Sequence, residues 1–412
     1  MISLDEARAY VQGAVAPLTP VPTPLAAAAG CVLAEDVVSD EAIPPFANSA
    51  MDGFAVRAAD TAGASDEQPA VLTVVGTIRA GDAPTIGLGD GEAIRIMTGA
   101  PIPPGADAVV MVERTLIADD DATVQVLVEV PVGNSVRVAG DDIQPGQLVF
   151  AAGTVLSAGH LGVLASIGRF EVRAHPRALV GVFSTGDELV DGPGELRPGQ
   201  IRDSNRITLL TLLRESGFDV MDLGSIADDE AAITAAIVEG AQVCDALITS
   251  GGVSMGDYDF VKVVLDRIGR MGWMQIAIKP AKPLAFGTVP GRDGRRVPVF
   301  GLPGNPVSSM VSFELFARPA LRAMMGFART AQQRPHVIAI ADEELRRRPD
   351  GKIHFARVVV QYDEATATYR VRSAGGQGSH QLSAMASANA LAILPDGDSI
   401  APGDPVRVML LA

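Results

Sequence analysis

Between residues 178 and 325 the chain alternates short, almost wholly apolar runs with segments of helical pattern. No other feature constrains the fold as tightly. The pattern predicts strands over 178–183, 220–226, 246–249, 274–278, 284–286 and 297–300. It predicts helices over 205–215, after Asp228 as N-cap, over 261–268 and from 307. Apolar strands between amphipathic helices imply a parallel sheet covered on both faces, an α/β domain. In such sheets ligands bind beyond the carboxyl ends of the strands. Three loops at those ends carry unusual residues: 184–188, 250–259 and 301–306.

The second loop is the most informative. The strand Ala246-Leu247-Ile248-Thr249 breaks at Gly251-Gly252, and the loop ends in two carboxylates, Asp257 and Asp259, before a helix near Phe260. Glycines let backbone N–H groups approach a phosphate, and a helix N-terminus adds partial positive charge. The carboxylates suit a divalent cation bridging protein and phosphate. A phosphorylated ligand with Mg²⁺ is expected here.

The chain has 412 residues, too many for a single core, so several domains are expected. A net charge of −16 argues against nucleic acid or an anionic membrane as a bulk partner. The two cysteines, Cys31 and Cys244, form no CxxC pair. The N-terminus has no basic, apolar leader pattern, and no apolar run approaches a membrane span. These features fit a cytoplasmic protein.

Ser3 followed by Glu6 is a capping-box pattern for a helix over 3–15, which the prolines at 17, 20, 22 and 24 end. A short helix is expected over 26–34. Residues 44–55 read as a small-residue loop in which Asp52-Gly53 is either a plain turn or part of a site. Short strands over 71–78, 92–96, 108–113, 124–130 and 135–138 suggest a β-rich insert. A helix follows over 158–166. Strands over 337–341, 354–362, 369–372, 390–394 and 405–410 suggest a C-terminal β-barrel.

The chain lacks a P-loop, a GxGxxG fingerprint, a nucleophile elbow and any HExxH spacing. What remains is a set of acids, Asp52, Asp142, Glu188, Asp228, Asp257 and Asp259, with two lysines in Lys279-Pro280-Ala281-Lys282-Pro283. Two ammonium groups held by stiff prolines suit an oxyanion. Singly, each acid is a turn or cap residue, Asp228 most clearly. Together they point to a metal ion and an anionic substrate.

Six motifs in order resemble the MoeA/gephyrin E-domain family, the molybdopterin molybdenumtransferases. They are Pro45-Phe46 with Asn48-Ser49-Ala50-Met51-Asp52-Gly53; Arg95-Ile96-Met97-Thr98-Gly99-Ala100-Pro101; Ser184-Thr185-Gly186-Asp187-Glu188-Leu189; Ser250-Gly251-Gly252-Val253-Ser254; Lys279 to Pro283; and Gly301-Leu302-Pro303-Gly304-Asn305-Pro306. The resemblance implies a multidomain α/β plus β protein: a segmented N-terminal region (1–51 and 140–177), a β-rich insert (52–139), a three-layer α/β molybdopterin-binding domain (178–327) and a C-terminal β-barrel (328–412). It also implies an elongated homodimer.

The implied reaction cleaves the pyrophosphate of adenylylated molybdopterin with Mg²⁺, releases AMP and inserts molybdate. An upstream molybdopterin adenylyltransferase would supply the substrate, and molybdoenzymes would receive the product. Glu188, Asp228 and Asp259 match family acids around the metal and nucleotide. Asp52, Thr98 and Asp142 match active-site positions outside the sheet domain, facing the sheet domain of the other subunit. Ser184, Thr185, Gly186, Asp187, Ser250, Gly251, Gly252, Ser254, Asp257, Pro303, Gly304, Asn305 and Pro306 match the pterin and nucleotide loops. Lys279, Lys282, Ser308, Arg357 and Ser379 match molybdate-binding positions. Ala47, Phe54, Phe260 and Ala281 depart from the common family residues Asp, Tyr, Tyr and Gly. Competing readings are an adenylyltransferase, which does not require the extra domains, and a non-catalytic molybdopterin carrier or scaffold.

Overall fold

A computed structural model of the protein describes residues 1–119, 121–251 and 260–411. Internal contacts divide the chain into two compact units. The first contains Met1–Thr23, Gly30–Ala34 and Arg173–Ala412; the second contains Pro24–Ala29 and Glu35–Val172.

The first unit is built on a six-stranded sheet. Its strands are β1 (Leu179–Thr185), β2 (Asp219–Ile226), β3 (Ala246–Ser250), β4 (Arg270–Gln275), β5 (Pro283–Pro290) and β6 (Arg296–Leu302), in spatial order β2-β1-β3-β6-β5-β4. The strands β2, β1, β3 and β6 are parallel. β5 and β4 run antiparallel to their neighbours, so the sheet is mixed and not wholly parallel as the alternation suggested. Loop length is the physical reason. Five residues, 291–295, join β5 to β6, with Asp293 and Gly294 at φ +54° and +74°. That makes a hairpin, whereas a parallel crossover needs about a dozen residues or more.

Helices cover both faces. α1 (Leu4–Gly13), α2 (Ser204–Glu215) and α5 (Pro306–Ser312) bury Val11, Leu209, Leu213 and Val307 against Val180, Ile248 and Phe300. α3 (Glu230–Val243) and α4 (Phe260–Ile268) bury Ile233, Ile237 and Val264 against Phe183, Leu247 and Val299. The result is three layers. α1 carries both halves of the expected capping box: the Glu6 N–H donates to Ser3 Oγ (3.2 Å), and the Ser3 N–H donates to Glu6 Oε2 (2.7 Å).

The expected strand over 274–278 is split. Arg270–Gln275 forms the sheet edge, while Ile278–Lys279 leaves it and pairs in parallel with Ile353–His354. That pairing joins the sheet layer to a closed barrel. The barrel strands are β7 (His336–Ala341), β8 (Ile353–Asp363), β9 (Thr368–Ser373), β10 (Ala390–Leu394) and β11 (Pro405–Leu410), in the ring β8-β9-β7-β11-β10 with β10 returning to β8. Closure leaves no free edge within the ring.

The second unit contains a six-stranded sheet in the order Ala108–Met111, Gly53–Val56, Glu92–Ile96, Ala70–Ile78, Thr123–Val126, Thr115–Ile117. Gly53–Val56, expected within a loop, is instead a fully buried inner strand. Its register is tight: a Cβ on Gly53 would meet Val110 O at 2.0 Å. The helix expected over 26–34 is shorter, Leu25–Ala28, and Val32–Leu33 is a strand. No helix among the described residues is long and apolar enough to cross a membrane.

Candidate active site

Three loops meet at the carboxyl edge of the parallel strands. Ser184 and Thr185 end β1 and are buried, as is Ser250 at the end of β3. Gly251 follows at φ +95°, where a Cβ would press on Thr185 O at 3.0 Å, so glycine is required twice over. Its N–H donates to Leu302 O (3.1 Å), and Gly304 lies close enough that an added Cβ would come within 3.9 Å of Gly251 Cα. Pro306 opens α5 as its first residue, where its missing N–H costs nothing. Asn305 and Gly304 are exposed at this edge and Pro303 is buried. Gly252, Ser254, Asp257 and Asp259 lie outside the described residues.

The start of α2 joins these loops, and the sequence reading had not singled it out. Asp203, with a side chain 1% exposed, is the N-cap. It accepts a short hydrogen bond from Ser184 Oγ, and also bonds from the N–H (3.1 Å) and Nε (3.2 Å) of Arg206. Arg206 continues to Asp222 (2.5 and 2.6 Å) and Asp191 (2.5 Å). Burial works against its charge, but these carboxylates outweigh burial and hold its pKa above the ordinary value. Asn205 Nδ2 donates to Ser250 Oγ and to Gly304 O, both at 2.7 Å. The available sequence signal was the run Asp203-Ser204-Asn205-Arg206, four polar residues at a helix start where one cap would suffice.

Asp187, Glu188 and Asp228 form an acid corner at the ends of β1 and β2. The cap of α3 is Asp229, whose side chain accepts from the Ala232 N–H (2.8 Å); it is not Asp228. A cap must sit one residue before the first helical position, and the helix begins at Glu230. Asp228 is thereby free of the capping role that explained it. Its N–H donates to Asp187 Oδ1 (3.3 Å). Its carboxyl pKa is pushed up, first by partial burial and then by the charges of Asp187 and Glu188. Glu188 also arches over Gly186, where a Cβ would meet its Oε2 at 2.6 Å. Crowded carboxylate oxygens with charge left over have the donor chemistry of a hard divalent cation. Among the described residues no group of three or more His, Cys, Asp or Glu is placed to hold a metal ion. The third acid expected here, Asp259, lies outside them.

A second feature of the same unit is positively charged. A cavity of about 640 Å³ is lined by Lys279, Arg346, Arg347, Arg348, His354 and Arg357, with Gln377 and two carboxylates, Glu344 paired to Arg346 and Asp350 to His354. Lys279 stands opposite His354 in the strand register. Burial first, then the charges of Arg347 and Lys279, outweigh Asp350 and lower the pKa of His354. Arg357 is 1% exposed and donates to Gly376 O (2.7 Å) and Gly378 O (3.1 Å), while its Nε has no partner. Ser379 O accepts from the Val307 N–H (3.2 Å), which brings Ser379 to the start of α5 beside the buried Ser308. Lys282 is exposed and does not line the cavity. Gln377 is a further residue that the sequence reading missed.

Ala281, between the two lysines, has φ +74°. This left-handed conformation favours glycine. Its methyl is buried in the main core of the unit, at 2% exposure.

In the second unit Asp52 Oδ1 accepts from the N–H (2.7 Å) and the hydroxyl (2.8 Å) of Thr98. These bonds, the backbone one foremost, hold the exposed Asp52 carboxyl below its ordinary pKa. Asp142 is exposed, its N–H donates to Ile43 O (2.9 Å), and no bond joins it to Asp52 or Thr98.

Three family descriptions match successive stretches: "MoeA N-terminal region (domain I and II)" over residues 2–168, "Probable molybdopterin binding domain" over 181–323, and "MoeA C-terminal region (domain IV)" over 343–411. The chain is 37% identical to the molybdopterin molybdenumtransferase of Haemophilus influenzae, covering 99% of this chain and 98% of that protein. It is 38% identical to molybdopterin molybdenumtransferase 2 of Mycobacterium tuberculosis, over 99% of each. A crystal structure of the molybdopterin biosynthesis MoeA protein of Pyrococcus horikoshii matches with a TM-score of 0.78 at 30% identity. That match covers 100% of this chain and 99% of the other.

Proposed function

The chain belongs to the MoeA family, the molybdopterin molybdenumtransferases, and from that premise we propose that it inserts molybdate into adenylylated molybdopterin with release of AMP. It is a transferase of molybdenum cofactor biosynthesis. The observation that carries the reading is the presence, in one compact unit, of an acid corner at Asp187, Glu188 and Asp228 and a cationic cavity at Lys279 and Arg357. A pyrophosphate and an oxyanion have to be handled together, and these are the two electrostatic environments required.

In this reading the edge formed by Ser184, Thr185, Gly186, Ser250, Gly251 and the turn 303–306 holds the pterin phosphate with backbone donors. Glu188, Asp228 and Asp259 hold Mg²⁺, which supplies Lewis-acid neutralisation of pyrophosphate charge when bound. Lys279 and Arg357 orient the tetrahedral oxyanion through charge-assisted hydrogen bonds, with Lys282, Ser308 and Ser379 as the further candidates for this role. Asp52 with Thr98, and Asp142, act on the site of the other subunit in a homodimer. An adenylyltransferase supplies the substrate in the cytoplasm, and molybdoenzymes take the product.

The test loads purified protein with adenylylated molybdopterin and follows AMP release with and without molybdate and Mg²⁺. Release that requires both, and that falls in Asp259→Ala and Lys279→Ala, supports the reading. Ligand retained without AMP release would instead mean a carrier. Release independent of molybdate would mean a hydrolase.

A further inference from the structure

We propose that Asn205 is the positioning residue of the ligand cradle: its carboxamide sets the spacing between the end of β3 and the Gly304 turn, and so the affinity for the phosphorylated pterin. The proposal rests on the function proposed above.

Asn205 is the second residue of α2, two positions after the cap Asp203. Its position is held from the cap side. The buried Asp203 takes bonds from Ser184 and twice from Arg206, so the first turn of the helix is tied to the end of β1. From this fixed point Asn205 reaches across to two other loops. A carboxamide nitrogen carries two hydrogens, and both are used, on Ser250 Oγ and Gly304 O at 2.7 Å each. The acceptors are 45 and 99 residues away in sequence. They flank Gly251, where φ is +95° and an added Cβ would press on Thr185 O at 3.0 Å, with Gly304 alongside it. One side chain therefore links the ends of β3 and β6, and Asp203 ties the same helix start to β1, where backbone donors would face a phosphate.

The chemistry of the bridge separates positioning from stability. Asn205→Asp preserves shape. Ser250 can turn its hydroxyl to donate, but Gly304 O can only accept, so a carboxylate oxygen would face a carbonyl oxygen. An acid in the first helical turn is otherwise favoured by the helix dipole. A residue serving only the helix would therefore leave KM unchanged in Asn205→Asp. A residue holding the cradle would raise KM even where the thermal midpoint holds.

The experiment measures steady-state AMP release with molybdate and Mg²⁺ for the wild type, Asn205→Asp and Asn205→Ala, with thermal unfolding of each. Asn205→Asp is expected to raise KM for adenylylated molybdopterin about tenfold with kcat within about twofold, and to leave the thermal midpoint level or higher. Asn205→Ala is expected to raise KM less, since it loses both bonds without adding repulsion. It serves as the decisive variant if Asn205→Asp does not fold. An unchanged KM in the folded variants overturns the proposal. So does a fall in kcat and midpoint at constant KM, which would make Asn205 merely structural. If the wild type does not turn over at all, the proposed function fails, and the bridge is then read by hydrogen exchange of the Gly251 amide. Exchange accelerated about tenfold in Asn205→Asp supports the bridge, and unchanged exchange overturns it.

Discussion

At the ends of β1 and β2 three carboxylates crowd together, and Asp228 holds its proton more tightly than a free aspartate does. Around Lys279 the reverse holds: cations gather, His354 is pushed toward its neutral form, and Arg357 keeps an unpartnered buried Nε. Another charged cluster of the same unit looks similar in sequence but behaves differently. Arg206 meets the carboxylates of Asp191, Asp203 and Asp222. Its charge is compensated within the fold. The acid corner is not, and in the cavity, where Glu344 meets Arg346 and Asp350 meets His354, Lys279 forms no ion pair among the described residues; charge left uncompensated by the protein is what a ligand can complete. A cluster of charges by itself says little.

The most severe test of this contrast is reciprocal substitution. Lys279→Ala should raise KM for molybdate about 30-fold, roughly 2 kcal/mol, while leaving the Mg²⁺ requirement unchanged. Asp228→Asn should weaken the Mg²⁺ dependence and leave the molybdate KM alone. Both follow from titrations of AMP-release rate against each ion. Equal effects of both substitutions on both ions would merge the two corners into one.

Arg357→Ala tests the same cavity through folding stability. It leaves the carbonyls of Gly376 and Gly378 without their buried donor and opens a cavity, so a loss of about 3 kcal/mol is expected in urea unfolding. A loss below about 1 kcal/mol would mean that the barrel loop holds itself.

Asp228→Asn should stabilise the fold slightly even as it impairs activity. A carboxyl whose folded pKa is raised contributes stability below the ordinary aspartate pKa and loses it as pH rises through the raised value. At pH 7 the charged form is therefore a burden, and its removal should raise the thermal midpoint by about 1–2 °C. Calorimetry should find the gain at pH 7 and little of it at about pH 3, below the ordinary aspartate pKa. A gain that persists in acid would place its origin elsewhere.

The smallest effect is expected at Ala281→Gly. Relief of the left-handed strain is worth roughly 1–2 kcal/mol. Losing a buried methyl costs about 0.8 kcal/mol, and glycine's freedom in the unfolded chain costs about 0.5–1 kcal/mol more. The terms nearly cancel, which accounts for alanine at φ +74°. Denaturant unfolding should show a change within about 1 kcal/mol of zero.

Local signals were legible in the sequence. Ser3 and Glu6 announced the start of α1, apolar runs announced the strands, and the loops at 184–188 and 301–306 were read as ligand loops from their place after strands. Where two local readings competed, the residues alone did not decide. Asp228 and Asp229 are both capable caps, and the choice depends on where the strand before them releases the chain. Gly53–Val56 read as a loop because four residues carry too little periodicity, while its inner place between two other strands makes it buried.

The sequence by itself determined most of the longer helices and strands, and which residue types would stand in the loops, because those follow from periodicity and capping within a few residues. Only the tertiary structure decided the partners. Lys279 faces His354 because a two-residue strand leaves the sheet for the barrel, and Asn205 reaches Ser250 and Gly304 because strand order sets β1, β3 and β6 side by side. Such contacts are set by which strands pair and how loops close over many tens of residues, and no local pattern encodes that choice.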